Sequence, residues 1–152
     1  MAKTAKLYFG DAGLLAHLLG ADAQAIEAQP GLRGPLFENF AVMELMKLAA
    51  RSSSPSTLFH FRTSAGLEVD VVLENRRREL VGVEVKAAAT VTESDFRGLR
   101  GLADLVGKRL RAGVLLYAGS ALLRFGERFW AAPLASKIRF PNFLWLKPET
   151  AI

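Results

Sequence analysis

Three residues of this 152-residue chain have the types and spacing needed for phosphodiester hydrolysis. Asp70 lies in one run of β-branched residues, and Glu84 and Lys86 lie in the next run with one residue between them. Such hydrolysis needs an activated water and a counter-charge for the developing oxyanions, and a divalent metal supplies both. Because Mg²⁺ prefers carboxylates and other oxygen ligands, Asp70 and Glu84 are candidate ligands, with the Val85 carbonyl as a third. Lys86 would place a positive charge near the phosphate or its water.

A β-hairpin is the element that must bring these side chains together. Residues 67–73 and 80–86 are rich in β-branched types, and the polar residues 74–79 lie between them. This pattern predicts two strands joined by a turn. Because side chains alternate between the faces of a strand, one face of the hairpin is apolar and must lie against a core. That face comprises Val69, Val71, Leu73, Val81, Val83 and Val85.

Charged residues occupy the other face of the predicted hairpin. A turn centred on Arg77 sets Asp70 directly opposite Glu84, and it sets Glu68 opposite Lys86. Like charges in directly opposed positions are destabilising, and a bound divalent cation would remove that penalty. The same alternation is also typical of a solvated strand face, on which Glu68 and Lys86 would form an ion pair. The residues alone leave both interpretations open.

Helices and strands surround the hairpin in an order that predicts a mixed α/β fold. The predicted helices cover residues 11–19, 22–29, 36–50 and about 94–106, and the further strands cover residues 58–62, 112–117, 122–125 and 128–131. Pro35 lies where the first turn of a helix tolerates it. A helix that connects two strands of one sheet implies parallel pairing between them. We therefore expect a mixed β-sheet with helices covering at least part of it.

Composition limits the class of protein. The length suits a single domain over residues 1–152, with a core at about 6–135 and a tail at 136–152. The chain has no cysteine, which excludes disulfides and thiolate zinc sites and fits the cytoplasm. The longest apolar run, residues 112–123, is too short to span a bilayer. The apolar stretch 140–146 would cap the core or pack against a second subunit or another domain.

The formal net charge of +5 would suit an anionic partner such as nucleic acid. Arginines near the hairpin are the candidate phosphate contacts, although arginines in an exposed turn are more often simply solvated. Arg76, Arg77 and Arg78 lie in this turn. Arg62 lies on the strand before the hairpin and would either bind phosphate or pair with Asp70.

An Asp on one strand followed by Glu-x-Lys on the next resembles the PD-(D/E)xK nuclease superfamily, which has the restriction-endonuclease-like fold. Val69 stands where the superfamily name has Pro. In that superfamily an acidic residue from a preceding helix often joins the metal site, and Glu38 is the matching residue here. Glu38 would also interact favourably with the dipole of its helix. It begins a mainly apolar stripe, however, and a carboxylate in a buried stripe needs a partner.

Five segments in order also resemble the uncharacterised C-terminal domain that follows the ATPase module in many bacterial and archaeal AAA+ ATPases. These segments are residues 6–15, 34–40, 61–63, 68–74 and 83–86. The resemblance extends over about residues 6–130 and implies an ATPase domain as a partner. ATP hydrolysis by this chain itself is not expected. Gly101 and Gly107-Lys108 have the wrong spacing for a phosphate-binding P-loop, and Arg109 stands where Ser or Thr is needed.

The resemblance implies a Mg²⁺- or Mn²⁺-dependent nuclease-like domain with Asp70, Glu84, Lys86 and Glu38 in its site. The alternative is a non-catalytic module on the same scaffold that docks onto an ATPase, onto nucleic acid or onto a second copy of the chain.

Overall fold

A six-stranded mixed β-sheet separates two helical layers in the computed structural model of the protein, which describes residues 6–135. The strand order is β1-β2-β3-β4-β6-β5. The helices are α1 (Ala12–Leu18), α2 (Ala23–Ala28), α3 (Pro30–Ala50) and α4 (Arg97–Val106). The strands are β1 (Ser56–Arg62), β2 (Glu68–Asn75), β3 (Leu80–Lys86), β4 (Leu110–Tyr117), β5 (Leu123–Arg124) and β6 (Phe129–Pro133).

The connections follow the predicted order. β1, β2 and β3 form an antiparallel meander. α4 then connects β3 to β4, and these two strands pair in parallel, as a crossover connection requires. β6 pairs in parallel with β4 and antiparallel with β5. The mixed α/β class and the final hairpin are therefore confirmed.

Each face of the sheet is covered by a different helix. On one face, α3 packs residues such as Leu45 against Leu73 and Val83. On the other face, α4 packs residues such as Leu99 against Val72. Both leucines are fully buried, and truncation of a buried leucine to alanine costs about 2–5 kcal/mol. These two cores hold the meander between the helices.

α3 begins earlier than its sequence pattern predicts. It starts at Pro30, so Pro35 lies inside the helix rather than in its first turn. Proline at the first position of a helix costs no hydrogen bond, whereas Pro35 removes the bond to the Gly31 carbonyl. The acceptor of that missing bond, Gly31, lies in the first turn of the helix. The earlier start adds more than one turn to α3.

β2 contains a bulge at Asp70. Phe59 pairs with Val72 and Phe61 pairs with Val69, so the single residue between the two phenylalanines faces two residues of β2. Such a bulge bends a strand and changes where its side chains point. As a result, Val69 packs in the core under α4 instead of sharing a face with Val71. The prediction of one continuous apolar face was wrong at Val69.

The register between β2 and β3 is the predicted one from Val71↔Val83 to Glu74↔Leu80. Helix length and hydropathy give no candidate for a membrane-crossing helix within residues 6–135. The apolar stretch at residues 140–146, with the interfaces suggested for it, lies outside the described residues.

Close packing of α4 on β2 generates a stability prediction at Gly98. A Cβ atom there would lie 2.0 Å from the backbone oxygen of Glu68, so the helix would have to move. We expect Gly98→Ala to lower the free energy of unfolding by about 1–3 kcal/mol. Gly31 is a matched control, because a Cβ atom on this exposed residue of α3 would meet nothing within 4 Å.

Gly31→Ala should be neutral or stabilise by up to about 1 kcal/mol through helix propensity. Urea denaturation of both variants measures the difference. Equal changes in the free energy of unfolding of the two variants would show that α4 does not pack closely against β2 at Gly98.

Candidate functional site

Four carboxylates and one ammonium group meet near the ends of β2 and β3. Glu68 and Asp70 come from β2, Glu84 from β3 and Glu38 from α3. The ammonium belongs to Lys6, in the segment that precedes α1. We call these five residues the acidic cluster.

Lys6 bridges three of the four carboxylates. Its Nζ atom lies 2.9 Å from Glu38 Oε1, 2.7 Å from Glu68 Oε1 and 2.7 Å from Asp70 Oδ1. An ammonium group has three donors, and each can serve one carboxylate. Burial alone would lower the pKa of Lys6, but the hydrogen bonds to the three carboxylates outweigh it and raise the pKa. Lys6 is therefore a permanent cation at the centre of the cluster.

Residues 6–9, which we call the strap, are held by two neighbouring residues of α3. The Tyr8 hydroxyl donates to Glu38 Oε1 at 2.7 Å. The backbone N–H of Phe9 donates to Asn39 Oδ1 at 2.7 Å, and Asn39 Nδ2 donates to the Phe9 carbonyl at 3.1 Å. Because Asn39 is buried, its amide needs these partners. The amide thereby fixes the strap against α3.

Asp70 is only 8% exposed and uses both carboxylate oxygens. Oδ1 accepts from Lys6, and Oδ2 accepts from the backbone N–H of Val85 at 2.9 Å. Burial raises the pKa of Asp70, and the hydrogen bond from Lys6 opposes this effect. The contact with Val85 runs through its N–H, whereas the sequence suggested its carbonyl as a metal ligand. That ligand role stays a prediction.

Glu84 is the carboxylate that Lys6 does not bridge. Its Oε2 atom is buried and has no hydrogen-bond partner among residues 6–135. Burial and the neighbouring charge of Asp70 raise the pKa of Glu84 to about 8, although Lys6 opposes the shift. At neutral pH the folded protein therefore holds Glu84 mostly in its protonated form.

Lys86 binds outside the acidic cluster. It forms an ion pair with Asp95, in the short turn that leads into α4. Asp95 also accepts from the backbone N–H of Thr92 at 2.7 Å, which completes a capping box. Burial would raise the pKa of Asp95, but the bonds from Lys86 and Thr92 hold it below its ordinary value. The alternative ion pair of Lys86 with Glu68 was wrong, because Glu68 binds Lys6.

The predicted arginines separate into two groups. Arg62 Nε lies 3.7 Å from Glu68 Oε2, at the margin of the cluster. Arg78 binds Glu74 at 3.1 Å in the hairpin turn. Arg76 and Arg77 line an open depression in the same turn. Arg76 follows Asp70 by six positions along the chain, which corresponds to about 20 Å in an extended strand.

Lys6, Tyr8, Asn39 and Asp95 were not predicted as site residues. Lys6 and Tyr8 fall in a segment that carried the family resemblance, but nothing in their spacing indicates a carboxylate partner. The pattern Thr92-x-x-Asp95 is a recognisable capping box, and it was the one local signal for Asp95.

The chemistry of the acidic cluster fits a hard divalent cation. Its donors are carboxylate oxygens, and one buried Glu84 oxygen has no partner among the described residues. The Lys6 ammonium contacts three of the four carboxyl groups. Among residues 6–135, however, no three acidic or histidine side chains are arranged to hold a metal. Lys6 occupies the point at which the carboxylates of Glu38, Glu68 and Asp70 converge. The donor set fits a metal, and an internal cation is present among the donors.

These features define an α/β domain with a lysine-bridged carboxylate cluster at the end of its sheet. Residues 33–136 match the family model described as a domain of unknown function, DUF4143, and the chain belongs to this family. The match includes the four carboxylates and begins after Lys6 and Tyr8.

Two mycobacterial proteins are similar to this chain. They are Uncharacterized protein Mb2031c of Mycobacterium bovis and Uncharacterized protein Rv2008c of Mycobacterium tuberculosis. Each is 33% identical over 132 residues, which make up 86% of this chain and 28% of the relative. The chain therefore spans little more than a quarter of the length of these relatives. No solved structure matches it.

The raised pKa of Glu84 generates a pH prediction. The ordinary pKa of this glutamate is 4.5, and the pKa of Glu84 in the folded protein is about 8. Between these two pH values, folded Glu84 keeps a proton that the unfolded chain releases. The stability contributed by this proton is therefore complete below pH 4.5 and is lost as pH rises toward 8. Glu84→Gln cannot ionise, so its stability relative to wild type should increase over this range. One proton contributes up to about 1.4 kcal/mol per pH unit.

Urea denaturation at several pH values from 5 to about 9 measures this difference. Glu27→Gln is the matched control, because Glu27 is exposed on α2. Parallel pH profiles for Glu84→Gln and wild type would contradict a raised pKa at Glu84.

Proposed function

We propose that this domain is a Mg²⁺- or Mn²⁺-dependent nuclease-like domain of the PD-(D/E)xK class, related to the C-terminal domain of AAA+ ATPases. The observation that carries the proposal is the acidic cluster, in which Glu84 Oε2 is buried without a partner beside Asp70. Carboxylates on a strand face that is simply solvated would be exposed. Asp70 is instead the one charged residue among the buried residues of the described chain.

The fold supports the same class. A long helix precedes a three-stranded antiparallel meander, and a crossover helix then leads to a parallel strand. This order agrees with the mixed, helix-covered sheet of the restriction-endonuclease-like fold. Asp70 and Glu84 lie on adjacent strands of it, and Glu38 comes from the preceding helix, as the resemblance implies.

Asp70, Glu84 and Glu38 would hold the metal, with the Val85 carbonyl as a further oxygen ligand. A divalent ion bound there supplies an activated water and a counter-charge for the phosphate oxygens. Lys86 would bring a positive charge toward the phosphate or its water, and in the structure its ammonium group forms an ion pair with Asp95. Arg62 is exposed beside Glu68 and would contact a flanking phosphate. Arg76, Arg77 and Arg78 would extend this contact to a more distant part of a nucleic acid.

A second function is favoured by a different observation. Lys6 binds Asp70, and Asp95 binds Lys86, so two predicted catalytic groups already have partners within the chain. A non-catalytic module would keep these contacts and dock through its surface onto an ATPase, nucleic acid or a second copy. Large apolar side chains are exposed on α1 and α3, among them Leu18, Phe40 and Met46. Docking onto nucleic acid would be weakened steeply by salt.

Cleavage assays distinguish the two functions. Single- and double-stranded DNA and RNA are incubated with Mg²⁺ or Mn²⁺ and the wild type, Lys86→Ala or Lys47→Ala. We expect metal-dependent cleavage that falls by about 10²–10³-fold in Lys86→Ala, because a positive charge at the phosphate is lost. Lys47 is the matched control, because it is an exposed lysine paired only with Glu44. A chelator should abolish cleavage by all three proteins.

Cleavage that survives Lys86→Ala would assign the activity to another site or to a contaminant. A folded wild type that cleaves none of these substrates would favour the interaction module. Circular dichroism of each protein shows that it is folded.

A further inference from the structure

The acidic cluster already contains a cation, and the chain itself supplies it. Lys6 Nζ contacts one oxygen from each of Glu38, Glu68 and Asp70 at 2.7–2.9 Å. Hard metal ions in proteins bind carboxylate oxygens in a similar convergent way, at about 2.0–2.6 Å. An ammonium group and a divalent ion need the same oxygens, so both cannot occupy the centre of the cluster together.

The strap that carries Lys6 is held mainly by polar contacts. Tyr8 binds Glu38, and the backbone of Phe9 binds Asn39. Leu7 is 93% exposed and Phe9 is 43% exposed, whereas Tyr8 packs partly against the core under α3. Segments with few buried apolar contacts open at a lower free energy than the core of a protein. The strap therefore has the composition of a segment that can leave while the sheet and α3 stay folded.

Charge favours exchange of this ammonium for a divalent ion. Lys6 brings one positive charge to the three carboxylates that it contacts, and Arg62 lies at the margin of the cluster, 3.7 Å from Glu68. A divalent ion would bring twice that charge to the same oxygens. The charge of the cluster is thus incompletely compensated when Lys6 is in place.

We propose that Lys6 is an intramolecular competitor of the divalent metal, and that residues 6–9 form an autoinhibitory strap that must withdraw before the acidic cluster binds a metal. This inference rests on the proposed function, because it concerns access to the same metal site. Only molecules with an open strap can bind the metal, so the apparent metal affinity equals the intrinsic affinity multiplied by the open fraction. The strap thereby sets the metal concentration at which the domain becomes competent.

Metal binding measured without any substrate tests the proposal. Mn²⁺ alone is titrated into wild type, Lys6→Met and Lys47→Met at one fixed pH, by calorimetry and by the electron paramagnetic resonance signal of free Mn²⁺. We expect Lys6→Met to bind Mn²⁺ at least about tenfold more tightly than wild type. Lys47→Met should bind as wild type does, because Lys47 contacts only Glu44. Adding Asp70→Asn to Lys6→Met should abolish the tighter binding and locate it at the cluster.

Tyr8→Phe provides a second variant that keeps every charge of the cluster. It removes the hydrogen bond from the strap to Glu38. Mn²⁺ affinity should rise by about fivefold, which corresponds to the loss of one ordinary hydrogen bond. This variant tests the strap if Lys6→Met does not fold.

The outcomes separate this inference from the proposed function. Equal Mn²⁺ affinity in wild type, Lys6→Met and Tyr8→Phe would overturn the competition and leave a metal-binding site in place. No Mn²⁺ binding by any folded variant at millimolar concentration would overturn the metal-dependent function and the strap together.

Discussion

The contact of one ammonium group with three carboxylates determines how this end of the molecule is assembled. Glu68 and Asp70 from β2 and Glu38 from α3 would repel one another at such short distances without a cation between them. Lys6 reverses the sign of that interaction and joins the segment before α1 to the sheet and to α3. Tyr8 and Asn39 extend the same junction along the chain. The position of residues 6–9 depends on these polar bonds more than on apolar burial.

A bulge makes this arrangement compatible with a well-packed sheet. It sets two residues of β2 against one of β1, so that Val69 and Val72 pack under α4 while Val71 and Leu73 pack under α3. Asp70 lies at the bulge and binds the Val85 N–H with its side chain. The Asp70 carboxylate thereby has a hydrogen-bond donor, while Val69 and Val71 on either side of it stay buried. Glu84 keeps one buried oxygen that has no partner among the described residues. Burial and the charge of Asp70 raise the pKa of Glu84 to about 8, so its carboxyl group is mostly protonated near neutral pH.

The match to the family model covers the four carboxylates but not the lysine that bridges three of them. The region that matches the family of unknown function contains the four carboxylates, whereas Lys6 lies before it. The chain corresponds to little more than a quarter of its mycobacterial relatives. A carboxylate site whose cation comes from a neighbouring segment can respond to whatever moves that segment. In the competition that we propose, the position of residues 6–9 sets which cation the carboxylates bind.

The amino-acid sequence predicts the order of elements, the mixed class of the sheet and the register of the β2–β3 hairpin from Val71 to Glu74. These features follow from local signals, namely alternation of side chains, capping residues and turn composition, which act over a few residues. It also identified Asp70, Glu84 and Glu38 as a group, although partly by resemblance. Three features follow from tertiary packing and from no local pattern. They are the bulge at Asp70, the ion pair of Lys86 with Asp95 and the contact of Lys6 with the carboxylates. Lys6 and Asp70 are separated by 64 positions. Which distant charges meet is settled by the packing of whole helices and strands, and no local pattern records it.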